Sequence, residues 1–251
     1  MPKPDYTSLE LPPPPDDRPY VLINMVMSAD GKVVIEGTEQ GIGSKTDQRL
    51  MRELRVNADI IVNGAGTLRA SGSSPRLGDP ELEEIRVRRG LPRLPRSAVI
   101  SRSGKLPLER IFFRAEDFEA LVYLSESAPL ERRAEIMATG RPVILVPAGD
   151  EVRAMLRHMR RELGAKVLLV EGGPTLNAEL FEMDAVDEYF LTLGPVIVAG
   201  KDTLTAVEGP RAFTRDTVKH LELLSAVPNE ETNEVYLRYR VQHQASTNGG
   251  R

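Results

Sequence analysis

The chain has 251 residues, 41% of them hydrophobic, and a net charge of −4. That is enough apolar material for one large core, and the scattered basic residues do not make a nucleic-acid surface. Cysteine is absent and the three histidines, His158, His220 and His243, stand far apart, which excludes disulfides, thiolate chemistry and cysteine-ligated zinc and argues against histidine-based metal catalysis. Residues 1–18 are polar and carry Pro12-Pro13-Pro14-Pro15, the pattern of a solvated, extended arm, or of one lying along a partner subunit. The folded domain is expected over 19–242, with a polar tail at 243–251. No apolar run reaches membrane-spanning length and no signal pattern opens the chain, so a cytoplasmic protein with no membrane partner is expected.

Tyr20–Met27, YVLINMVM, has almost no polar interruption and reads as a central strand. Ser28-Ala29-Asp30-Gly31-Lys32 turns after it, and Val33-Val34-Ile35 reads as strand resumed. Past the loop GTEQGIGS, Ser44 and Asp47 have capping-box spacing and open a helix to about Val56, with Leu50, Met51 and Leu54 as its buried face. Asp59–Asn63 is the next strand and runs straight into Gly64-Ala65-Gly66-Thr67. Glu81–Arg89 is charged enough to be a short helix with a wet face. Strands follow at Ser97–Ser101, which ends in Arg102-Ser103-Gly104, at Ala120–Leu124 and at Pro142–Val146, with a helix around Leu130–Ala138. Asp150 is the expected cap of an amphipathic helix in which Val152, Met155, Leu156, Met159 and Leu163 form a core stripe, stopped by Gly164.

Lys166–Phe181, KVLLVEGGPTLNAELF, organises the rest. Val167–Val170 reads as a strand buried on both faces, Gly172-Gly173-Pro174 breaks it, and Thr175–Phe181 reads as a helix. Glycines let backbone come close to a ligand, and a helix start offers unpaired N–H groups at the positive end of its dipole. That combination suits a phosphate or pyrophosphate, the plain alternative being a turn between a core strand and its helix. Glu171 falls where open α/β sheets bind ligands. The C-terminal part has strand-like stretches at Glu188–Leu193, Val218–Leu224 and Glu234–Val241 and no long helix. In the last, Val235, Leu237, Tyr239 and Val241 alternate with Tyr236, Arg238 and Arg240, as in an antiparallel strand with one wet or interface-facing side. The fold class is α/β: a single domain with a mostly parallel central sheet flanked by helices and antiparallel strands at the C-terminal end.

Two strand–glycine–helix turns suit a ligand with more than one phosphate. Neither is a GxGxxG or Walker loop, and neither a GxSxG elbow nor a Ser/His/Asp set is present. A site with no nucleophile, no metal set and no histidine base suits chemistry carried by a cofactor, hydride transfer foremost, so no catalytic residue is assigned.

NMVMSADGK (Asn24–Lys32), LRVNADIIVNGAGTLRAS (Leu54–Ser71), SPRL (Ser74–Leu77), LLVEGGPTLNAELF and VDEYFLTLGPVIVAGK (Val186–Lys201) follow in order. Together, over roughly residues 20–240, they resemble the pyrimidine reductase family of riboflavin biosynthesis, which has a dihydrofolate-reductase-like fold. The HxE and PCxxC signature of the deaminase that precedes the reductase in bifunctional members is missing, so the resemblance is to the stand-alone enzyme. It implies a homodimer that uses NADPH to reduce a ribosylaminopyrimidine 5′-phosphate to its ribitylamino form, hydride adding at the sugar C1′ once the ring has opened to an imine. Carried over by position, Thr67, Gly172, Gly173, Thr175, Leu176 and Asn177 contact the cofactor, and Ser71 stands where the family has a cofactor-contacting aspartate. Glu171 faces the substrate, Asn24, Ser28, Asp30 and Lys32 line the turn beside it, and Arg55 and Leu77 complete that side. Arg102, helped by Ser103, is expected to hold the 2′-phosphate of NADPH, from its cationic turn at a strand end. The chain departs from the family at Ser71–Ser74, which replaces an Asp-Asp-Pro, and at Gly41-Ile42-Gly43-Ser44, which replaces a tryptophan-containing segment. A reductase of a pterin such as dihydrofolate, and a non-catalytic nucleotide-binding protein, are the competing readings.

Overall fold

Tyr20–Ser28 forms β1, and its unbroken apolar run follows from its place between two parallel neighbours with both faces covered. In the computed structural model, which describes residues 3–243, there follow α1 (Lys45–Arg55), β2 (Ile60–Gly64), α2 (Ala65–Ala70), α3 (Pro80–Arg88), β3 (Arg96–Ser101), α4 (Ile111–Arg114), β4 (Ala120–Ser125), α5 (Leu130–Met137), β5 (Val143–Val146), α6 (Glu151–Arg161), β6 (Val167–Val170), α7 (Pro174–Glu182), β7 (Glu188–Gly194), β8 (His220–Asn229) and β9 (Glu234–Gln242). Residues 244–251 of the expected tail lie outside the described residues. The strands form one sheet in the order β5-β4-β3-β2-β6-β1-β7-β9-β8. It is parallel from β5 to β7, and β9 and β8 add antiparallel. The alternation along β1 sends Val21, Ile23 and Met25 to the side of α6 and α7, and Tyr20 and Leu22 to the side of α1.

Several sequence expectations change in the folded chain. Val33–Ile35 makes no strand: Ile35 pairs only with Thr38 and Lys32 only with Thr205, because Glu36 and Gly37 take positive φ and turn the chain back. Residues 3–18 are not a solvated arm but a strap on their own domain. Tyr6 is buried edge-on against Phe190 with ring centroids 5.0 Å apart, and its N–H donates to Glu53. Arg18 closes the strap on Asp187 at 2.5 and 2.9 Å. The same strap covers Tyr236 and the Phe190 side of the sheet, so that face of β9 is buried at Tyr236 and half-buried at Arg238, while Val235, Leu237 and Tyr239 on the other face are half-buried. Asp150 precedes α6 without capping it, since its carboxylate faces Arg153 and Arg157.

The charged α3 does present a wet face, with Glu81, Glu84, Arg88 and Arg89 exposed, but one of its charges turns the other way. Arg86 points inward, fully buried, and its Nη1 donates to the carbonyls of Arg55, Val56 and Ala58 while Nε donates to Pro92 O. Burial lowers its pKa to about 10. The first two of those carbonyls belong to the end of α1, where a helix leaves acceptors without intrahelical partners, so Arg86 acts as an external cap for the helix that carries Arg55.

Candidate active site

Because β2 and β6 are neighbours, their two glycine turns meet at the carboxyl edge of the sheet, where Gly64 N–H donates to Gly172 O at 2.9 Å. Space there is limited by backbone. A Cβ on Gly64 would lie 3.3 Å from the Gly173 nitrogen, and one on Gly173 would lie 3.1 Å from Thr67 Oγ1. Gly172 has φ +88°, where only glycine is at ease, and the Gly172-Gly173 peptide is cis. Gly173 is the N-cap of α7 and supplies no side-chain acceptor, so the first-turn N–H groups after Pro174 are left open.

These turns floor a cavity of about 1310 Å³. That exceeds the about 300–1,000 Å³ usual for one small ligand and leaves room for two side by side. One end is formed by Thr67, Ser71, Arg102, Ser103, Gly172, Gly173, Thr175 and Leu176, the other by Asn24, Met25 and Val26 of β1, the inner face of α1, and Glu171. Arg55 and Glu171 form a bidentate pair across that second end, Nε to Oε1 at 2.7 Å and Nη2 to Oε2 at 2.8 Å, each side chain only 10% exposed. The third Arg55 nitrogen donates to Arg76 O at 2.7 Å, so SPRL contributes through its backbone. At the first end Arg102 donates to Glu179 at 2.5 Å and lies 3.4 Å from Glu151, while Ser71 donates to Glu39 of the glycine-rich loop.

Five expected site residues lie elsewhere. Leu77 is fully buried with Val56 and Leu82, and anchors the loop rather than facing the cavity. Asn177 is also fully buried, on the inward side of α7, where its amide donates to Ala206 O at 2.9 Å. Ser28, Asp30 and Lys32 form a clasp outside the cavity. The Ser28 hydroxyl donates to Asp30, Asp30 accepts from Val198 and Ala199 N–H, and Lys32 Nζ donates to Thr203 O at 2.9 Å. The Ser28 hydrogen bond first, then those backbone bonds, hold the Asp30 carboxyl down to about 2.

Sequence reasoning missed Asp47, Met51 and Arg52, all of which line the cavity. Met51 was grouped with Leu50 and Leu54, and Asp47 was read as a capping residue. Ser44 Oγ does accept from Thr46 and Asp47 N–H, but the Ser44 N–H goes to Glu234 at 2.6 Å, which leaves the Asp47 carboxylate free to face inward. The signal was the spacing of Asp47, Met51 and Arg55 at i, i+4 and i+8, a stripe that runs beside the Leu50–Leu54 core face.

Fold and site together define an α/β protein with two linked glycine turns on the floor of one large cavity that also carries the Arg55–Glu171 pair. The RibD C-terminal domain description matches residues 19–228, and the chain belongs to that family. The 2,5-diamino-6-ribosylamino-4(3H)-pyrimidinone 5′-phosphate reductase of Archaeoglobus fulgidus is 30% identical over 206 residues, covering 82% of this chain and 93% of that one. The enzyme of the same name from Methanothermobacter thermautotrophicus is 32% identical over 194 residues, covering 76% and 85%. Among solved structures, a pyrimidine reductase-like protein from Corynebacterium diphtheriae superposes with a TM-score of 0.80 at 22% identity, over 91% of this chain and 94% of that one. A likeness that distant in sequence speaks for the fold, which dihydrofolate reductase shares. The resemblance read from the ordered motifs holds, and with it the dihydrofolate-reductase-like α/β fold.

Proposed function

We propose that this chain reduces a ribosylaminopyrimidine 5′-phosphate to the ribitylamino form in riboflavin biosynthesis, with NADPH as the reductant. The observation that carries the reading is the pair of glycine turns joined through Gly64 and Gly172 on the floor of a cavity whose far end is charged, in a chain whose relatives bear the names of such reductases. The residues present fit a dinucleotide. The uncapped start of α7 offers N–H donors to a pyrophosphate, and a side chain at Gly173 would intrude on that cradle. Thr67 and Thr175 add hydroxyl donors there, and Arg102 with Ser103 offers a 2′-phosphate site, provided the phosphate displaces Glu179 from the guanidinium. When bound, the cofactor supplies the hydride.

The chain's own part is positioning. Holding two reactants in register contributes roughly 7–11 kcal/mol in favourable cases, which leaves little need for a histidine or cysteine. Arg55 and Glu171 fix each other and so present a rigid wall to the substrate, and Arg52 adds positive charge for its phosphate. A phosphorylated substrate and a reduced dinucleotide, neither of which crosses a bilayer unaided, support a cytoplasmic enzyme. Among the described residues no helix is long and apolar enough to span a membrane. Pairing with a second copy is supported by the apolar side of the edge strand β8, where Leu223 is 54% and Leu221 39% exposed, across from Tyr239 and Val241. Leu223→Glu should then shift the mass seen by light scattering from dimer to monomer.

The test is NADPH consumption by the purified protein with ribosylaminopyrimidine phosphates and, separately, with dihydrofolate. Turnover of a pyrimidine phosphate is expected. Activity on dihydrofolate alone would move the protein to pterin chemistry, and none on either would make it a binding protein.

A further inference from the structure

Glu151, the first residue of α6, lines the proposed cofactor end of the cavity, yet it is only 3% exposed. Its Oε1 accepts from the Ser125 hydroxyl at 2.9 Å. Its Oε2 is buried, makes no hydrogen bond among the described residues, and lies 3.4 Å from Arg102 Nε. Burial would raise the Glu151 carboxyl, but its own N–H, the Ser125 hydroxyl, the Gly149 N–H and the charge of Arg102 together hold it below its ordinary value, so it is ionised at neutral pH. Arg102 is therefore one cation between two carboxylates, Glu151 beside Nε and Glu179 on Nη2, and the group is net negative. Arg69 and Arg110 also line the cavity, but each keeps a guanidinium nitrogen on a backbone carbonyl, of Lys105 and of Arg69.

Glu179 stands one helical turn beyond Thr175 on α7, roughly 6 Å along the axis from the helix start proposed for the pyrophosphate. An adenosine ribose follows its pyrophosphate at about that distance, and the two nicotinamide dinucleotides differ only there. NADH carries a 2′-hydroxyl, a neutral donor, whereas the 2′-phosphate of NADPH has no donor to spare and a charge of roughly −1.5 to −2. A buried carboxylate oxygen with an unused lone pair is completed by a hydroxyl and repels a phosphate; a guanidinium attracts the phosphate. Dinucleotide sites of other folds use an acidic residue for the hydroxyl or an arginine for the phosphate. Here both groups stand side by side.

Resting on the proposed reductase function, we infer that Glu151 is the residue that sets the choice of dinucleotide: its Oε2 accepts the 2′-hydroxyl of NADH, and its charge offsets the attraction of Arg102 for the 2′-phosphate of NADPH. The advantage of NADPH is thereby held to a narrow margin.

The experiment titrates the unaltered protein and Glu151→Gln with NADPH, NADH and 2′-deoxy-NADH, following nucleotide fluorescence. In the unaltered protein the Kd values for NADPH and NADH should lie within about 10-fold, since the phosphate gains Arg102 but meets Glu151. Binding of 2′-deoxy-NADH should be about 10-fold weaker than that of NADH, the scale of one hydrogen bond to a charged acceptor. In Glu151→Gln, NADPH should tighten by about 10-fold, as a like charge is removed from beside the phosphate, while NADH loosens. A merely structural role for Glu151 would weaken both together, and that result would overturn the assignment. If the variant does not fold, the unaltered protein still decides. Equal binding of NADH and 2′-deoxy-NADH, or NADPH tighter than NADH by on the order of 100-fold or more, would overturn it while leaving the reductase reading intact. Binding of neither NADPH nor NADH would remove that reading, and the role of Glu151 with it.

Discussion

At the end of the cavity proposed for the cofactor the contacts are offered by backbone: two glycine turns hydrogen-bonded to each other and the open start of α7. At the end proposed for the substrate they are offered by side chains, Asp47, Arg52 and Arg55 of α1 with Glu171 opposite. The first arrangement tolerates almost any neighbouring side chain but no change of glycine; the second depends on which face of one helix meets the cavity. Backbone recognition suits a ligand shared by many enzymes, and side-chain recognition suits the one that differs among them.

The sharpest way to separate the two ends is Gly173→Val. The Gly173 φ is ordinary, so the cost is spatial: its Cβ would meet Thr67 Oγ1 at 3.1 Å and crowd the uncapped start of α7. NADPH titration should show a loss of roughly 100-fold or more, the scale of one or two charge-assisted hydrogen bonds, with the circular dichroism of the fold kept. An unchanged affinity would mean that the pyrophosphate lies elsewhere.

The same contrast explains what was legible in the sequence. Glycine spacing constrains backbone directly, so Gly64, Gly172, Gly173 and the strands before them could be placed from the chain alone. Thr67 and Thr175 came only with the family resemblance, and both line the cavity beside those turns. Asp47 could not be placed that way, because its role hangs on a distant residue: Glu234 takes the Ser44 N–H that a capping box would have given to Asp47. Arg86 was hidden for a similar reason, a charge in a charged helix whose partners are carbonyls at the end of α1. Leu77 and Asn177 erred in the other direction. Their neighbours in sequence serve the site, through Arg76 O and the start of α7, while they themselves pack the core behind it.

Between the two ends in expected size stands Arg102→Ala. Arg102 is the one cation on which the backbone-built end would rely for discrimination, and Glu179 and Glu151 already engage it. Part of any gain from a 2′-phosphate is therefore spent on displacing Glu179. We expect NADPH to weaken by about 10-fold, as for one charge-assisted contact, and NADH by much less. Equal losses for both nucleotides in parallel titrations would take Arg102 out of this role.

The smallest expected effect tests whether the substrate end is held ready at a cost in stability. Asp47 has a folded-state pKa of about 6 against 3.8 for the free side chain, with burial as the main cause, Thr192 opposing it and Glu234 adding to it. The sign follows from linkage. The folded chain binds the Asp47 proton more tightly than the unfolded one, so Asp47 costs nothing below its unfolded value, an increasing amount between 3.8 and about 6, and its full amount above that. Asp47→Asn removes the charge and keeps a partner for Thr192. Its melting temperature should therefore exceed that of the unaltered protein by roughly 2–4 °C near pH 8, the shift that 1 kcal/mol makes in a domain of this size. Near pH 5, where the folded carboxyl is mostly protonated, the gain should shrink. A gain of the same size at both pH values, or a loss near pH 8, would show that the carboxylate is not strained by its site.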